Sequence, residues 1–357
     1  MAAIFDSPRK GRGATIAPPP RYLEVEREDF DDGWPTDAER LPKLATVVTV
    51  EAARTIISRN QSPDLPFELS INPYRGCEHG CIYCYARPSH AFLDLSPGLD
   101  FESRLYAKTN APELLLAELS APNYRCSPIA LGANTDAYQP IERKYRITRR
   151  ILEVLAEVEH PVTIVTKAAL IERDIDLLAA MAEKTLTLVF VSITTLDQQL
   201  ARRMEPRATA PARRLETIRR LSAAGIRTGV MVAPVIAALN DEDLESILNA
   251  AASAGASSAA YVVLRLPLEI SPLFQTWLAA HYPLRAAKVM SLIRDMRGGQ
   301  VYESGFGTRM KGRGPIAELL GRRFKRSCGE LGLNRQPVQL DTNRFKKPAA
   351  DGQFALF

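Results

Sequence analysis

The chain has 357 residues, 46% of them hydrophobic, and 46 Lys/Arg against 41 Asp/Glu give a net charge of +5. This is enough apolar material for one large α/β barrel or two domains, and it excludes an intrinsically disordered chain. Five cysteines, three of them close together, do not make a disulfide framework and suit a reducing compartment.

Residues 1–45 mix charge runs, Pro18-Pro19-Pro20 and glycine without helical or strand periodicity. They are expected to form a mostly irregular arm with one small basic patch, Arg9-Lys10-Gly11-Arg12. Met1 to Asp6 lacks the basic start and apolar run of a secretory signal, so a cytoplasmic protein is expected. No segment is apolar enough to span a membrane; the least polar run, 247–264, reads as a helix end, a turn and a buried strand.

From residue 46 onward, strand-like and helix-like segments alternate, the pattern of β/α units around a parallel sheet. Strands are predicted at 67–71, 128–133, 162–166, 186–193, 227–233 and 259–264, most of them short apolar runs as buried parallel strands are. Helices are predicted at 111–119, 148–159, 174–183, 211–223 and 241–252. Asn240-Asp241 is a candidate cap for the last of these, and Pro211 sits in the first turn of the fourth. These segments form six β/α units in an α/β fold. Active sites in such barrels are built from loops at the C-terminal ends of the strands. Those ends carry polar residues here: Asn134-Thr135-Asp136, Thr166-Lys167 and Ser192-Ile193-Thr194-Thr195. The same residue types also make ordinary turns.

The loop after the first strand contains Cys77-Glu78-His79-Gly80-Cys81-Ile82-Tyr83-Cys84, a C-x₃-C-x₂-C spacing. Three thiolates can hold three irons of a [4Fe–4S] cluster and leave the fourth open for chemistry. Two other readings compete. Cys81 and Cys84 can be a redox pair of the thioredoxin type, which gives Cys77 no role. Alternatively, the three cysteines with His79 or His90 can form a closed structural zinc site, although no second C-x₂-C knuckle is present.

The loop and its flanks, from Asn72-Pro73-Tyr74-Arg75-Gly76 to Tyr85-Ala86-Arg87-Pro88, resemble the cluster loop of radical S-adenosylmethionine (SAM) enzymes, including the aromatic Tyr83 before the last cysteine. The resemblance implies a partial (β/α)₆ barrel of the TIM type. It also implies a cluster held by Cys77, Cys81 and Cys84, with SAM chelating the open iron and cleaved reductively to a 5′-deoxyadenosyl radical. An electron donor such as a flavodoxin or ferredoxin is implied as a partner.

Between Asn72 and Pro234 the strand-end motifs resemble a narrower branch, the spore photoproduct lyase-like or DNA repair photolyase-like proteins. In that branch the matching residues Thr135, Asp136, Lys167 and Ser192 would contact SAM, as hydroxyl, carboxylate and ammonium groups suited to its ribose, amino group and carboxylate. Tyr83 belongs to the same cofactor-binding set. Glu205, in Glu205-Pro206-Arg207, would reach SAM or substrate, or neutralise the arginines around it. The lyase's hydrogen-donating cysteine is replaced by Ala133. Cys126 and Cys328 are then the candidate hydrogen donors, or small buried apolar residues. Tyr74, Tyr85 and Tyr138 are further relay, stacking or packing groups.

Residues 297–357 carry 12 Lys/Arg against 5 Asp/Glu, so the basic excess is wholly C-terminal. The runs Arg309-Met310-Lys311-Gly312-Arg313 and Arg322-Arg323-Phe324-Lys325-Arg326 are candidate phosphate contacts or an ordinary solvated face. The expected organisation is an irregular arm over 1–45, a radical SAM core over 46–297 and a basic extension over 298–357. The expected function is a monomeric or weakly associating radical SAM enzyme with a nucleic acid or nucleotide substrate. The alternatives are a nucleic-acid-binding protein with a structural zinc site, or a radical SAM enzyme acting on a peptide or small metabolite.

Overall fold

A computed structural model describes residues 3–4, 9–22 and 44–348. Its main sheet has seven strands: β1 (Ile57–Arg59), β2 (Leu69–Ile71), β3 (Ile129–Leu131), β4 (Val162–Thr166), β5 (Thr187–Ser192), β6 (Thr228–Val235) and β7 (Ser258–Val263). They lie side by side in chain order. β2 to β7 are parallel, and β1 adds an antiparallel edge to β2. β2 and β3 are buried along their whole length, which is why they read as continuous apolar runs rather than alternating ones. All six predicted strands are present.

Helices follow the strands: α1 (Ala111–Ser120), α2 (Ile147–Glu157), α3 (Ile175–Glu183), α4 (Pro211–Ala223), α5 (Leu244–Ser253), α6 (Ile270–His281), α7 (Pro283–Asp295) and α8 (Gly314–Leu331). α2 shows the reason for their placement. Ile147, Ile151, Leu152 and Leu155 recur at helical spacing and are all buried, with Leu155 and Val158 joining Val162, Ile164 and Leu186 in one apolar core. Sequential parallel strands, each followed by helix, make the partial (β/α)₆ barrel expected from the sequence.

Several elements were not foreseen. A three-stranded side sheet pairs Val47–Glu51 with Arg104–Lys108, and the latter with Tyr74–Arg75 just ahead of the cysteines. Residues 9–22 of the arm are irregular apart from Ile16–Ala17. Ala3–Ile4 pairs with Ile16–Ala17, and Arg12, expected in a basic surface patch, is buried. Residues 23–43 and 349–357, which include parts of the expected arm and extension, lie outside the described residues. Asn240 does not cap by its side chain; it bridges instead to the Thr194 and Pro234 carbonyls and the Ile236 N–H.

The basic extension is largely internal structure. α8 contributes Ala317, Leu320 and Cys328 to the main core. Arg309 pairs with Asp64, Arg323 with Glu245, and Arg326 with Glu330, while Lys311 lies over the Tyr261 ring. Buried Arg297 binds the carbonyls of Leu264, Thr308 and Arg309. The sheet edges β1 and β7 are not bonded to each other, and residues 307–310 span the gap. Val263 N donates to Met310 O at 2.9 Å, while Gly307 N and Arg309 Nε donate to Asp64 at 2.7 and 2.6 Å.

Candidate functional site

The cysteine loop leaves the C-terminal end of β2 and is fixed along its backbone. Asn72 Oδ1 accepts the N–H groups of Asn134 and Thr135, tying the end of β2 to that of β3. Gln139 spans the loop entry, donating to Gly76 O at 3.0 Å and accepting from Glu78 N at 2.9 Å. Cys77 N donates to Phe101 O, Ile82 N to Met204 O and Arg207 N to His79 O. Arg87 Nε donates to Cys81 O at 2.9 Å. Gly80 has φ +67°, a conformation that side chains rarely adopt, so glycine permits the turn between the first two cysteines.

All three thiols are free. Burial pushes the Cys77 thiol well above its ordinary value, with added repulsion from Asp136, Cys81 and Cys84. Burial and Glu205 push Cys81 up to about 12, against the opposing pull of Lys167. Burial also raises Cys84. Three desolvated thiols within electrostatic reach of one another suit a cationic iron–sulfur group, whose charge favours the thiolates that burial alone opposes.

A single zinc ion fits less well. His79 Nδ1 lies 3.3 Å from Asp136 Oδ2 and His90 Nε2 donates to Arg104 O at 2.9 Å, which leaves one nitrogen of each ring for a metal. Among the described residues no group of three or more His, Cys, Asp or Glu is arranged around one metal ion. Ligands of a cube bind separate irons and need not converge on a point.

Beneath the loop the strand ends form two connected groups. In the first, Asp136 accepts from Thr166 Oγ1 and Lys167 N, both at 2.7 Å, and from Tyr138 N at 2.9 Å. Burial works to raise its carboxyl, but His79 and these donors hold it at about 2. Thr135 Oγ1 donates to Tyr74 O at 3.0 Å. In the second, Lys167 Nζ donates to Ser192 Oγ at 3.0 Å and sits 5.8 Å from the Tyr83 ring centroid. The Tyr83 hydroxyl donates to Glu205, which also accepts from Thr194 Oγ1 and pairs with Arg214. Glu205 and Arg214 are both 1% exposed. Burial works to raise Glu205, but Arg214 and Lys167 hold it at about 2, so the pair is charged. Glu205 therefore neutralises a buried arginine, one of its two expected roles.

The structure thus brings Cys77, Cys81, Cys84, Tyr83, Thr135, Asp136, Lys167, Ser192 and Glu205 to one end of the sheet. Cys126 and Cys328 are not brought there. Cys126 lies three residues ahead of β3, and Cys328 Sγ is 4.0 Å from Asn334 Nδ2, whose side chain binds Ala259 at the start of β7. Both are at the N-terminal end of the strands. Tyr74 donates to Glu142 and Tyr138 is buried, whereas Tyr85 is half exposed, donates to Ala133 O and carries the Arg265 guanidinium 5.4 Å from its ring centroid. A polar cleft of about 400 Å³, lined by Asn60, Ser62, Phe67 and Ser127 among others, opens at the opposite, N-terminal end and takes no part in this arrangement.

Arg214 and Gln139 belong to the site's frame and were not singled out from the sequence, and Thr194 was read only as one of the polar residues ending β5. The signal for Arg214 was its place on α4, four and seven residues ahead of Ile218 and Leu221 on the buried face.

Residues 71–251 match the family model described as the radical SAM superfamily. The chain belongs to that superfamily. An uncharacterized protein of Mycobacterium tuberculosis is 36% identical to it over 281 residues, 74% of this chain and 83% of the relative. An uncharacterized protein of Methanocaldococcus jannaschii is 28% identical over 171 residues, 48% of this chain and 61% of its own length. Among solved structures, spore photoproduct lyase complexed with dinucleoside spore photoproduct superposes with a TM-score of 0.56 at 17% identity, covering 80% of each chain. A variant of the same lyase with bound AdoMet and the dinucleoside gives the same TM-score of 0.56. At that identity the likeness is one of fold.

Proposed function

We propose that this radical SAM enzyme holds a [4Fe–4S] cluster through Cys77, Cys81 and Cys84 and binds SAM against Tyr83, Thr135, Asp136, Lys167, Ser192 and Glu205. The observation that carries the reading is three free thiols on a backbone-locked loop directly above the Lys167–Ser192–Tyr83–Glu205 group. Together, cluster and SAM would supply an electron transfer that cleaves SAM and starts hydrogen abstraction.

The chain's own residues have separable tasks. Lys167 presents an ammonium bonded only to a hydroxyl and a ring face among the described residues, which suits the SAM carboxylate. Asp136 and Glu205 spend their oxygens mainly on protein donors, so they act chiefly by holding Lys167, Thr166 and Tyr83 in place. Tyr85 and Arg265 line the approach beside Ala133.

The substrate we infer is a nucleic acid or nucleotide. Support comes from the fold shared with a lyase solved with a dinucleoside lesion. The C-terminal arginines contribute less support than their number suggests, because many are paired internally. That pairing favours, as a second reading, a smaller substrate such as a peptide or metabolite. We place the core at residues 46–297 and the enzyme in the cytoplasm, reduced by a flavodoxin or ferredoxin; no helix among the described residues is long and apolar enough to cross a membrane.

Anaerobic reconstitution with iron and sulfide, EPR with and without SAM, and chromatography for 5′-deoxyadenosine test the reading. A cluster signal perturbed by SAM and formation of deoxyadenosine are expected, and Cys81→Ala should abolish both. Tightly held zinc without SAM cleavage would replace this reading with that of a metal-stapled binding protein. Salt-dependent binding of an oligonucleotide distinguishes the two substrate classes.

A further inference from the structure

Residues 12–16 of the arm lie against the cysteine loop itself. Gly13 sits so close to it that a Cβ there would fall 1.8 Å from Gly80 O and 3.4 Å from Ile82 N. Gly98 makes a second close passage, where a Cβ would meet Ile16 O at 2.3 Å. Ala14 and Ile16 pack in one apolar cluster with Ile82 and Tyr83.

Glu102 locks this contact. It is fully buried, and its carboxylate accepts from Gly13 N at 3.0 Å, Ala14 N at 2.8 Å and Arg87 Nη2 at 2.5 Å. Arg87, equally buried, in turn holds Cys81 O. Arg12 closes the other side, donating to Glu102 O at 2.5 Å, Leu44 O at 2.6 Å and Thr46 Oγ1 at 3.1 Å. Thr46 Oγ1 donates to Glu78, which also pairs with Arg207 at 3.1 Å. A continuous chain of bonds therefore runs from the arm to residues between and beside the cysteines.

We propose that residues 12–14 are a strap that fixes and shields the Cys77–Cys84 loop, with Glu102 as the positioning residue that joins it to Arg87 and Cys81. The shielding of a cluster rests on the function proposed above; the fixing of the loop does not. Three buried donors converge on Glu102, and losing the carboxylate would leave them unpaired, a costlier change than losing a solvated contact. Water and oxidants would then reach the loop from the side that Gly13 and Ala14 now cover.

The test uses the full chain with Gly13→Ala, whose methyl group cannot fit against Gly80, and Glu102→Gln. Hydrogen–deuterium exchange is read in the apoprotein over peptides containing residues 76–84, and air bleaching of cluster absorbance is read after reconstitution. Loss of the seated strap should raise exchange of that loop, and the bleaching rate, roughly tenfold, with exchange of β4 to β6 unchanged. Equal loop exchange in wild type and Gly13→Ala would overturn the proposal. Raised exchange in a protein that takes up no cluster would instead overturn the cluster reading and leave the strap standing. Should Gly13→Ala fail to fold, Arg12→Met removes three strap bonds without adding bulk at the contact, and the same comparison decides.

Discussion

Asp136 accepts the backbone N–H of Lys167 at 2.7 Å, so the carboxylate at the end of β3 sets the direction of the chain that carries the site's ammonium. Asp136→Ala removes this bond together with those from Thr166 and Tyr138. Because the donors are left buried, a loss of about 1–3 kcal/mol in stability is expected. SAM affinity should fall with it, since Lys167 is released. Denaturant melts and anaerobic calorimetry check both, and an unchanged melt would mean that the staple carries no load.

Lys167→Ala should separate SAM binding from cluster binding. Losing a charge-assisted contact of about 1.5–3 kcal/mol corresponds to roughly ten- to a hundredfold weaker SAM. The EPR signal of the reduced cluster without SAM should be unaltered. If the variant loses the cluster itself, Lys167 is part of the loop's support rather than of the SAM site.

The buried pair Glu205–Arg214 makes a different prediction. Arg214→Met strands Glu205 among Tyr83 and Thr194 and should cost about 3–5 kcal/mol, whereas Glu205→Gln with Arg214→Met should recover part of that loss. Urea unfolding of the two single variants and the double variant measures the coupling. Simple addition of the single effects would argue that the two charges do not depend on each other.

Cys126→Ser and Cys328→Ser should both leave deoxyadenosine formation and substrate conversion intact, because neither thiol is at the C-terminal end of the strands. Product analysis in deuterated solvent is the check. Loss of turnover with an intact cluster in either variant would restore that cysteine as hydrogen donor.

His160 contributes a pH dependence to the fold. Its Nδ1 donates to Pro161 O, its Nε2 accepts from the Tyr124 hydroxyl, and Phe345 packs on the ring, so the neutral form is satisfied. Burial lowers it to about 4. The unfolded chain takes up this proton near pH 6.5, while the folded chain resists until about 4, so stability is full above 6.5 and declines on acidification between those values. The decline should approach about 3 kcal/mol. His160→Gln should flatten it in melts taken from pH 7 to 4.5.

The parallel strands were legible because burial on both faces leaves nothing but apolar residues, as in Ile129–Leu131. Val47–Glu51 escaped notice because its exposure follows no clean alternation, and its partner strand is over fifty residues away. Asp136 and Glu205 could be picked out as candidate site residues, but sequence cannot say whether a carboxylate faces a ligand or the protein's own donors. Arg12 was misjudged for a related reason. In a stretch of glycine and proline nothing local marks it, and its partners are 32 and 90 residues along the chain. α8 was obscured by its own arginines, whose long stems cover the helix while Leu320 and Cys328 face the core.

Across the gap between β1 and β7, Arg309 reaches Asp64 and Ser62, 245 and 247 positions earlier in the chain. During synthesis, therefore, every strand of the sheet leaves the ribosome before the segment that bridges its edges. The nascent barrel stays unsealed until Arg309 and Met310 have been added.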